Sequence, residues 1–340
     1  MTQTGDDTTQ TGDDTTQTGD GTTQTGDGTT QSENAAAQTA TTGVWAADTE
    51  SRGATTGPRT EDTVGVDGSV STARTAWTRQ AAAFGVRTLR ELFRNRAALV
   101  WGLLAPVFFF LVFGVALGEP GVARGANAVV FGVFGSFSVS LVIFATALSA
   151  DLKAKRYRKL RSLPVAPSAD VLGRFVGGLA LSVVSFGLVL AVGVVTDGTL
   201  RLRSVVSVPV VLASLVLFCL LAMGLAVLVA SVLDDGEYVV GVTNMVTLAL
   251  FFLTGFNGLV PAMAPGPLGG LVNWLPNSLA TRLAVYYLVP VGSGAGTPLV
   301  PPSLPLGWAW AGLLVAYAAV GVTAGVVTMR RAIYDGEGGE

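Results

Sequence analysis

The chain has 340 residues, of which 50% are hydrophobic and only 13% are charged; its formal net charge is -2 and its mean hydropathy is +0.56. This composition excludes a soluble globular protein and indicates a polytopic membrane protein. Histidine is absent and Cys219 is the single cysteine. Disulfides, most zinc sites, haem ligation by histidine and catalysis by an imidazole base are thereby excluded.

The N-terminal tail, residues 1–72, is predicted to be disordered. Residues 2–29 form four near-identical heptads, TQTGDDT or TQTGDGT, and no heptad position is apolar, so a coiled-coil seam cannot form. Twelve of the 23 acidic residues lie within the first 67 positions. Such an acidic, Thr- and Gly-rich sequence cannot bury a core. It also lacks the apolar stretch of a signal peptide, so we expect the first apolar span to direct insertion.

The next segment, residues 77–96, predicts an amphipathic helix. At about 100° per residue, one face carries arginines and the opposite face carries apolar residues. The basic face holds Arg79, Arg87, Arg90 and Arg94, and the apolar face holds Trp77, Ala81, Phe84 and Leu92. Such a helix lies at a membrane interface with its arginines toward phosphate groups. The alternative is a plain basic flank ahead of the first span.

Six apolar segments follow in the predicted membrane domain, residues 73–335, each about as long as the ~20 residues that cross a bilayer. They are residues 97–118, 126–150, 175–196, 204–233, 238–260 and 306–329. The predicted fold class is therefore an all-α integral membrane protein with six transmembrane helices, preceded by the interfacial helix and the disordered tail.

Lysine and arginine are unevenly distributed between the two sides of these spans. Fifteen lie between Arg74 and the first span, in the 151–174 loop or after the last span, and four lie on the other side. The positive-inside rule therefore predicts cytoplasmic termini and a cytoplasmic 151–174 loop, in a multi-pass protein of the plasma membrane.

The segment between the fifth and sixth spans, residues 261–305, has two parts. Residues 268–289 are moderately apolar and interrupted by Pro276, which predicts two short helices at or partly within the outer leaflet. Residues 292–305 are rich in Gly and Pro. A plain extracellular loop is the alternative.

Hydroxyl and amide side chains recur at helical spacing in two spans. Ser136 and Ser140 continue a ridge of small residues in the second span, whereas Thr243, Asn244 and Thr247 lie in the fifth. Such residues commonly allow close helix packing. The alternative is that these five side chains line a translocation path.

Several kinds of chemistry have no motif in this chain. The phosphate-binding pattern GxxxxGK[ST], the nucleophile elbow GxSxG and the metal-binding pair HExxH are all missing. No carboxylate lies at the centre of a predicted span, which disfavours a carrier coupled to protons or sodium. We expect a transport subunit that is not an enzyme, holds no metal or cofactor and binds no nucleic acid.

The loop at residues 151–174 contains all three lysines of the chain and places six cations between positions 153 and 161. Apolar residues interrupt the charges, and Pro164 and Pro167 follow, so a short helix across the membrane face is predicted. The loop could dock a cytoplasmic partner. The alternative is a topology signal that touches anionic lipid.

This layout resembles the membrane subunits of type-2 ABC transporters. The shared features are an interfacial helix, six spans, an acid at the end of the second span followed by KLRSLPVAPSADVLGR, and an interrupted outer segment. The resemblance implies that the loop forms a coupling helix in a groove of a separate ATPase subunit. The implied contact residues are Asp151, Arg156, Lys159, Leu160 and Leu163. It also implies ATP and Mg on that partner, and a second permease copy or paralogue in the bilayer.

The predicted function is therefore the permease subunit of an ATP-driven exporter that works by alternating access. A secondary transporter or channel without ATP coupling is the main alternative, and a membrane scaffold or enzyme is a third. The spans carry no residue pattern that identifies the substrate.

Overall fold

The structure is a computed structural model that describes residues 66–94, 96–156, 162, 166–233, 235–264, 266, 269–290 and 307–334. The predicted disordered tail up to residue 65 and the whole Gly/Pro-rich outer stretch, residues 292–305, lie outside the described residues. Within the described ranges the chain is helical and contains no strand, as the sequence predicts.

Eight helices organise the described part of the chain. They are α1 (Val66–Arg94), α2 (Arg96–Phe109), α3 (Val122–Lys153), α4 (Pro167–Val195), α5 (Ser207–Val232), α6 (Gly236–Leu253), α7 (Pro276–Leu288) and α8 (Gly307–Thr328). A π-helical turn, Phe110–Ala116, extends α2, and another, Val139–Ile143, lies within α3. Helix α1 begins at Val66, ahead of the predicted domain boundary at residue 73.

Five described helices, α3, α4, α5, α6 and α8, are long and apolar enough to cross a membrane. The remaining predicted span corresponds to α2 and its π-helical extension, whose apolar part is the shorter stretch Gly102–Ala116. The multi-pass membrane architecture is thus confirmed, and the count of six spans stays a prediction.

The ends of the helices meet in two groups. At one end, called here the basic end, the last turn of α3 contacts the first turns of α4 and α6 through ion pairs. At the opposite end the segment before α3 pairs with the segment after α4: Gly121 N donates to Asp197 O over 3.1 Å and Thr199 N donates to Gly121 O over 2.9 Å.

Helix α3 is the central helix of the bundle, because its side chains are buried along almost the whole stretch from Gly125 to Phe137. Aromatic rings join it to its neighbours. The ring centroids of Phe134 and Phe251 are 4.6 Å apart, and Phe137 stacks on Phe218 with centroids 4.8 Å apart. Such ring pairs add about 0.5–1.5 kcal/mol each to the burial of their area.

Helix α1 packs along the first half of α4 and runs in the same direction. Trp77 Nε1 donates a hydrogen bond to Ser168 Oγ over 3.1 Å at the start of this contact. Further along, Thr88 lies against Gly177, where an added Cβ would come within 3.2 Å of the threonine side chain. Because Gly177 has no side chain, α4 and α1 can approach each other closely at this point.

The predicted faces of α1 agree with this packing. Ala81 and Leu92 are buried, with exposed fractions of 9% and 8%. Three of the predicted basic residues, Arg79, Arg90 and Arg94, are exposed. The amphipathic pattern thus marks the face of α1 that packs on the bundle, and the location of this helix at a membrane interface stays a prediction.

Helices α5 and α8 cross where two glycines face each other. A Cβ added to Gly224 would overlap the carbonyl oxygen of Gly321, and a Cβ added to Gly321 would lie 2.8 Å from Leu221 Cα. Small residues at such a crossing bring two membrane helices into backbone contact.

Within the described residues 269–289, the outer segment contains one short turn and one helix where the sequence predicts two short helices. A 3₁₀ turn, Val272–Trp274, precedes α7, and Pro276 is the first residue of that helix. Proline suits this position because its missing N–H would have no partner in the first turn. Trp274 is exposed and contacts Trp310, with ring centroids 5.1 Å apart.

Arg124, in the first turn of α3, holds three helices together at the opposite end. Its guanidinium donates to Gly114 O (3.4 Å) and Val115 O (3.3 Å) in the extension of α2, and to Thr196 O (2.6 Å) after α4. A cation at these carbonyls is stabilised by the negative ends of both helix dipoles.

Candidate functional site

The first residue of the basic loop, Asp151, is buried at the centre of an ion-pair network. Its side chain is only 2% exposed, and Arg174 Nη2 lies 2.6 Å from Asp151 Oδ2. Arg174 Nε in turn donates to Asp170 Oδ1 over 2.9 Å, one helical turn earlier on α4. One buried guanidinium thus joins the end of α3 to the start of α4 by bonding to a carboxylate on each helix.

The network continues to α1 through Arg156. The Arg156 guanidinium contacts the Asp151 carboxylate, and its Nη1 lies 3.3 Å from Glu91 Oε1. Arg87 Nε holds the same Glu91 oxygen from the neighbouring turn over 3.0 Å. The loop after α3 is therefore bound at its base to both α1 and α4.

A second ion pair connects the loop to α6. Lys153 Nζ donates to Asp235 Oδ1 over 2.8 Å, and Asp235 caps α6 by accepting a hydrogen bond from Glu237 N. The hydrogen bond from the Lys153 ammonium holds the pKa of Asp235 below its ordinary value. Both side chains are about half exposed, so this ion pair adds little to the free energy of folding. Its main effect is to hold the loop next to the start of α6.

The predicted contact residues fall into two groups in the structure. Asp151 is buried, whereas Arg156 keeps 44% of its side chain exposed. Lys159, Leu160 and Leu163 lie outside the described residues. An open cavity of about 600 Å³ between α1 and α3 borders the network and is also lined by Arg94. This face of the network is thus accessible from the basic end.

The serines of the predicted ridge lie at the contact of α3 with α4. Ser136 and Ser140 are fully buried. Ser136 Oγ donates to Gly132 O over 3.0 Å and contacts Ser182 O at 2.9 Å, while Ser140 Oγ and Ser182 Oγ share a hydrogen bond of 2.7 Å. In this conformation these hydroxyls hold two helices together.

The polar residues of the fifth predicted span separate into buried and exposed positions on α6. Thr243 and Thr247 are buried, and their hydroxyls donate to Val239 O and Thr243 O, one turn back in the same helix. Asn244 is exposed. The structure thus does not bring Asn244 together with the two threonines, and their assignment to a translocation path stays a prediction.

Helix α6 ends in a feature that the sequence patterns did not reveal. The four residues from Gly255 to Gly258 all have positive φ, at 67°, 52°, 57° and 78°. The two inner residues are Phe256 and Asn257; left-handed backbone costs about 1–2 kcal/mol for a residue with a Cβ. Asparagine tolerates this region better than phenylalanine. The sequence feature that could have indicated this left-handed turn is the pair of glycines, Gly255 and Gly258, three positions apart.

This left-handed turn faces a buried amide cluster. Asn277, at the start of α7, donates through Nδ2 to Thr254 Oγ1 over 2.8 Å and to Asn257 Oδ1 over 3.4 Å. Nearby, the Arg282 guanidinium donates to Gly258 O over 3.0 Å and also contacts Asn273. Asn277 Nδ2 also donates to Leu250 O over 3.2 Å, so the cluster supplies hydrogen bonds to a carbonyl near the end of α6 and to one in the turn that follows.

Within the described ranges, no group of three or more Cys, Asp or Glu side chains is arranged to hold a metal ion. The charged side chains of the ion-pair network balance one another and connect α1, α3, α4 and the start of α6. Their arrangement suits a structural joint between helices.

The family comparison agrees with this geometry. The family model of the ABC-2 type transporter matches residues 79–289, more than half of the 340 residues, and this range includes the whole ion-pair network. No curated protein matches the chain. The match confirms the resemblance on which the function was predicted. The chain therefore belongs to the ABC-2 type transporter family, as a multi-pass membrane component of an ABC transporter.

Proposed function

We propose that this chain is the permease subunit of an ATP-driven exporter in the plasma membrane, with its basic end and both termini in the cytoplasm. A separate ATPase subunit, which holds ATP and Mg, binds the loop after α3. The observation that supports this proposal is the buried ion-pair network that attaches the loop to α1 and α4, with Lys153 attaching it to α6.

Within this proposal the loop residues have two different roles. Asp151 is too deeply buried to touch a partner, so it positions the loop through Arg174 and Arg156. Arg156, Lys159, Leu160 and Leu163 remain the candidates for direct contact with the ATPase. A force on the loop would then move α3 and α4 together, because the buried pairs resist separation more strongly than exposed ones.

Alternating access sets an energetic requirement on this contact. The ATPase pair must bind the loop differently in the inward-facing and outward-facing states, since a partner with equal affinity for both would shift neither population. Two permease copies, or this chain with a paralogue, would then rearrange around their shared interface.

Charge reversal in the loop tests the proposed contact. We expect Lys159→Glu with Arg161→Glu to leave the protein in the membrane and to abolish its copurification with the ATPase, because two attractive charges become repulsive. Arg201→Glu with Arg203→Glu, at the opposite end of the molecule, is the matched control and should retain the ATPase. Normal ATPase binding by the loop variant would refute the docking role.

Cysteine labelling tests the proposed orientation independently. Cys219 is fully buried, so we expect it to be protected from a maleimide, and the unmodified protein measures any background labelling. With intact cells, a membrane-impermeant maleimide should label Ser293→Cys and leave Ser162→Cys unlabelled until the cells are opened. The reverse pattern would place the basic end outside and exclude a cytoplasmic ATPase at this loop.

Dependence on ATP separates the exporter from the alternative carrier or channel. In vesicles that contain the permease and its ATPase, substrate movement should stop when the catalytic residues of the ATPase are mutated. Movement that persists and follows an ion gradient would instead favour a secondary transporter.

A further inference from the structure

A mostly apolar groove of about 260 Å³ lies at the basic end, on the far side of α4 from the ion-pair network. Its floor consists of buried side chains: Phe175 is 4% exposed and Val171 7% on α4, and Met329 is 1% exposed at the end of α8. Leu172 and Val326 form its walls. The groove therefore offers a pre-formed surface for an apolar chain.

A tryptophan and an arginine also line the groove. They are Trp77 and Arg330, and the Trp77 indole is held by its hydrogen bond to Ser168. Arg330 is exposed, is followed by the exposed Arg331, and forms no ion pair with any carboxylate in the described ranges. A tryptophan and a free arginine at this position are typical of the depth at which lipid headgroups lie.

The groove is long enough to hold part of an acyl chain. Its lining residues extend from Ser168 to Phe175, eight residues of α4, and from Val322 to Arg330, nine residues of α8 and the π-helical turn that follows it. At about 1.5 Å per residue, these stretches are about 10–12 Å long. The hydrocarbon core of a bilayer is ~30 Å thick, so the groove is shorter than one leaflet.

We propose that this groove binds one anionic phospholipid from the leaflet at the basic end, with an acyl chain on Phe175 and Met329 and the phosphate at Arg330. The charge of Arg330 complements an anionic headgroup. A stable contact with a second protein copy typically needs roughly 800 Å² of surface per partner, which is more than a groove of this size offers. The proposal rests on the membrane location of the chain and is independent of ATP coupling.

Lipid binding by the full-length protein in detergent provides the test. Native mass spectrometry would count bound lipid after titration with phosphatidylglycerol or with phosphatidylcholine. We expect one phosphatidylglycerol to remain bound with about fivefold preference over phosphatidylcholine, as expected for one arginine at an anionic surface. Arg330→Gln should remove that preference, and Val326→Trp should fill the groove and abolish retention of both lipids.

Val320→Trp is the matched control, because Val320 is 66% exposed on the same helix and does not line the groove. It should bind phosphatidylglycerol as the unmodified protein does. Retention of phosphatidylglycerol by Val326→Trp, or an unchanged headgroup preference in Arg330→Gln, would overturn the proposal. A change of oligomeric state in Val326→Trp without loss of lipid would also overturn it, and would assign the groove to contact between copies.

Discussion

Replacing Arg174 with methionine is expected to lower the free energy of unfolding by about 3–5 kcal/mol, the cost typical of breaking a buried ion pair by removing one partner. The guanidinium lies between Asp151 and Asp170, whose side chains are 2% and 0% exposed. Without it, two buried carboxylates lose their shared cation. Unfolding by SDS titration in detergent micelles would measure the loss, and ATPase copurification should fall in parallel.

Two variants separate this effect from a general sensitivity to arginine loss. Arg87→Met removes an exposed i,i+4 pair with Glu91, and should cost no more than about 0.3–0.5 kcal/mol. Arg174→Lys keeps the charge, but a compact ammonium cannot reproduce the fork that reaches both carboxylates, so an intermediate loss is expected. Equal stability of Arg174→Met and Arg87→Met would show that the network contributes no more than a surface pair.

Adding one methyl group at Gly224 is expected to force α5 and α8 apart. In Gly224→Ala the new Cβ would overlap the backbone carbonyl of Gly321, and backbone cannot move aside as the end of a flexible side chain can. Inserting a methyl group into a packed contact costs about 1–3 kcal/mol. A backbone clash lies at the upper end of that range, so a clear fall in the thermal unfolding midpoint should be measured.

Gly312→Ala, on the partner helix α8, is the matched control. A Cβ added at Gly312 would meet no atom within 4 Å. This variant should be neutral or slightly stabilising, since alanine favours a helix by up to about 1 kcal/mol over glycine. Similar unfolding midpoints for the two variants would contradict a close backbone contact between α5 and α8.

The helices could be predicted because a lipid bilayer imposes one strong rule. A segment that crosses it must be long and apolar and must form all its backbone hydrogen bonds within itself. The limits of α3 and α5 lie within a few residues of the prediction. The rule says nothing about where a helix is interrupted inside the protein. Hydropathy therefore extends the fifth span to residue 260, whereas α6 ends at Leu253 and the left-handed turn follows.

The site could be predicted only in its location. The charge density of the loop identifies residues 151–174, and the family resemblance adds Asp151 as a contact residue. Its burial depends on Arg174, 23 positions later, and on Arg156 and Glu91, and a local pattern does not show which distant charges will pair. The four-residue spacings of Asp170–Arg174 and Arg87–Glu91 are signals of pairing that the sequence does contain.

The contacts of Arg124 imply an order in which the helices assemble. Two of its three carbonyl acceptors belong to the extension of α2, which is synthesised before it, and the third, Thr196, follows α4. The guanidinium can therefore join α2 to α3 as soon as that hairpin is inserted, while its shortest hydrogen bond, to Thr196, must wait for α4. The hairpin of α2 and α3 is thus a docking template on which α4 arrives last of the three.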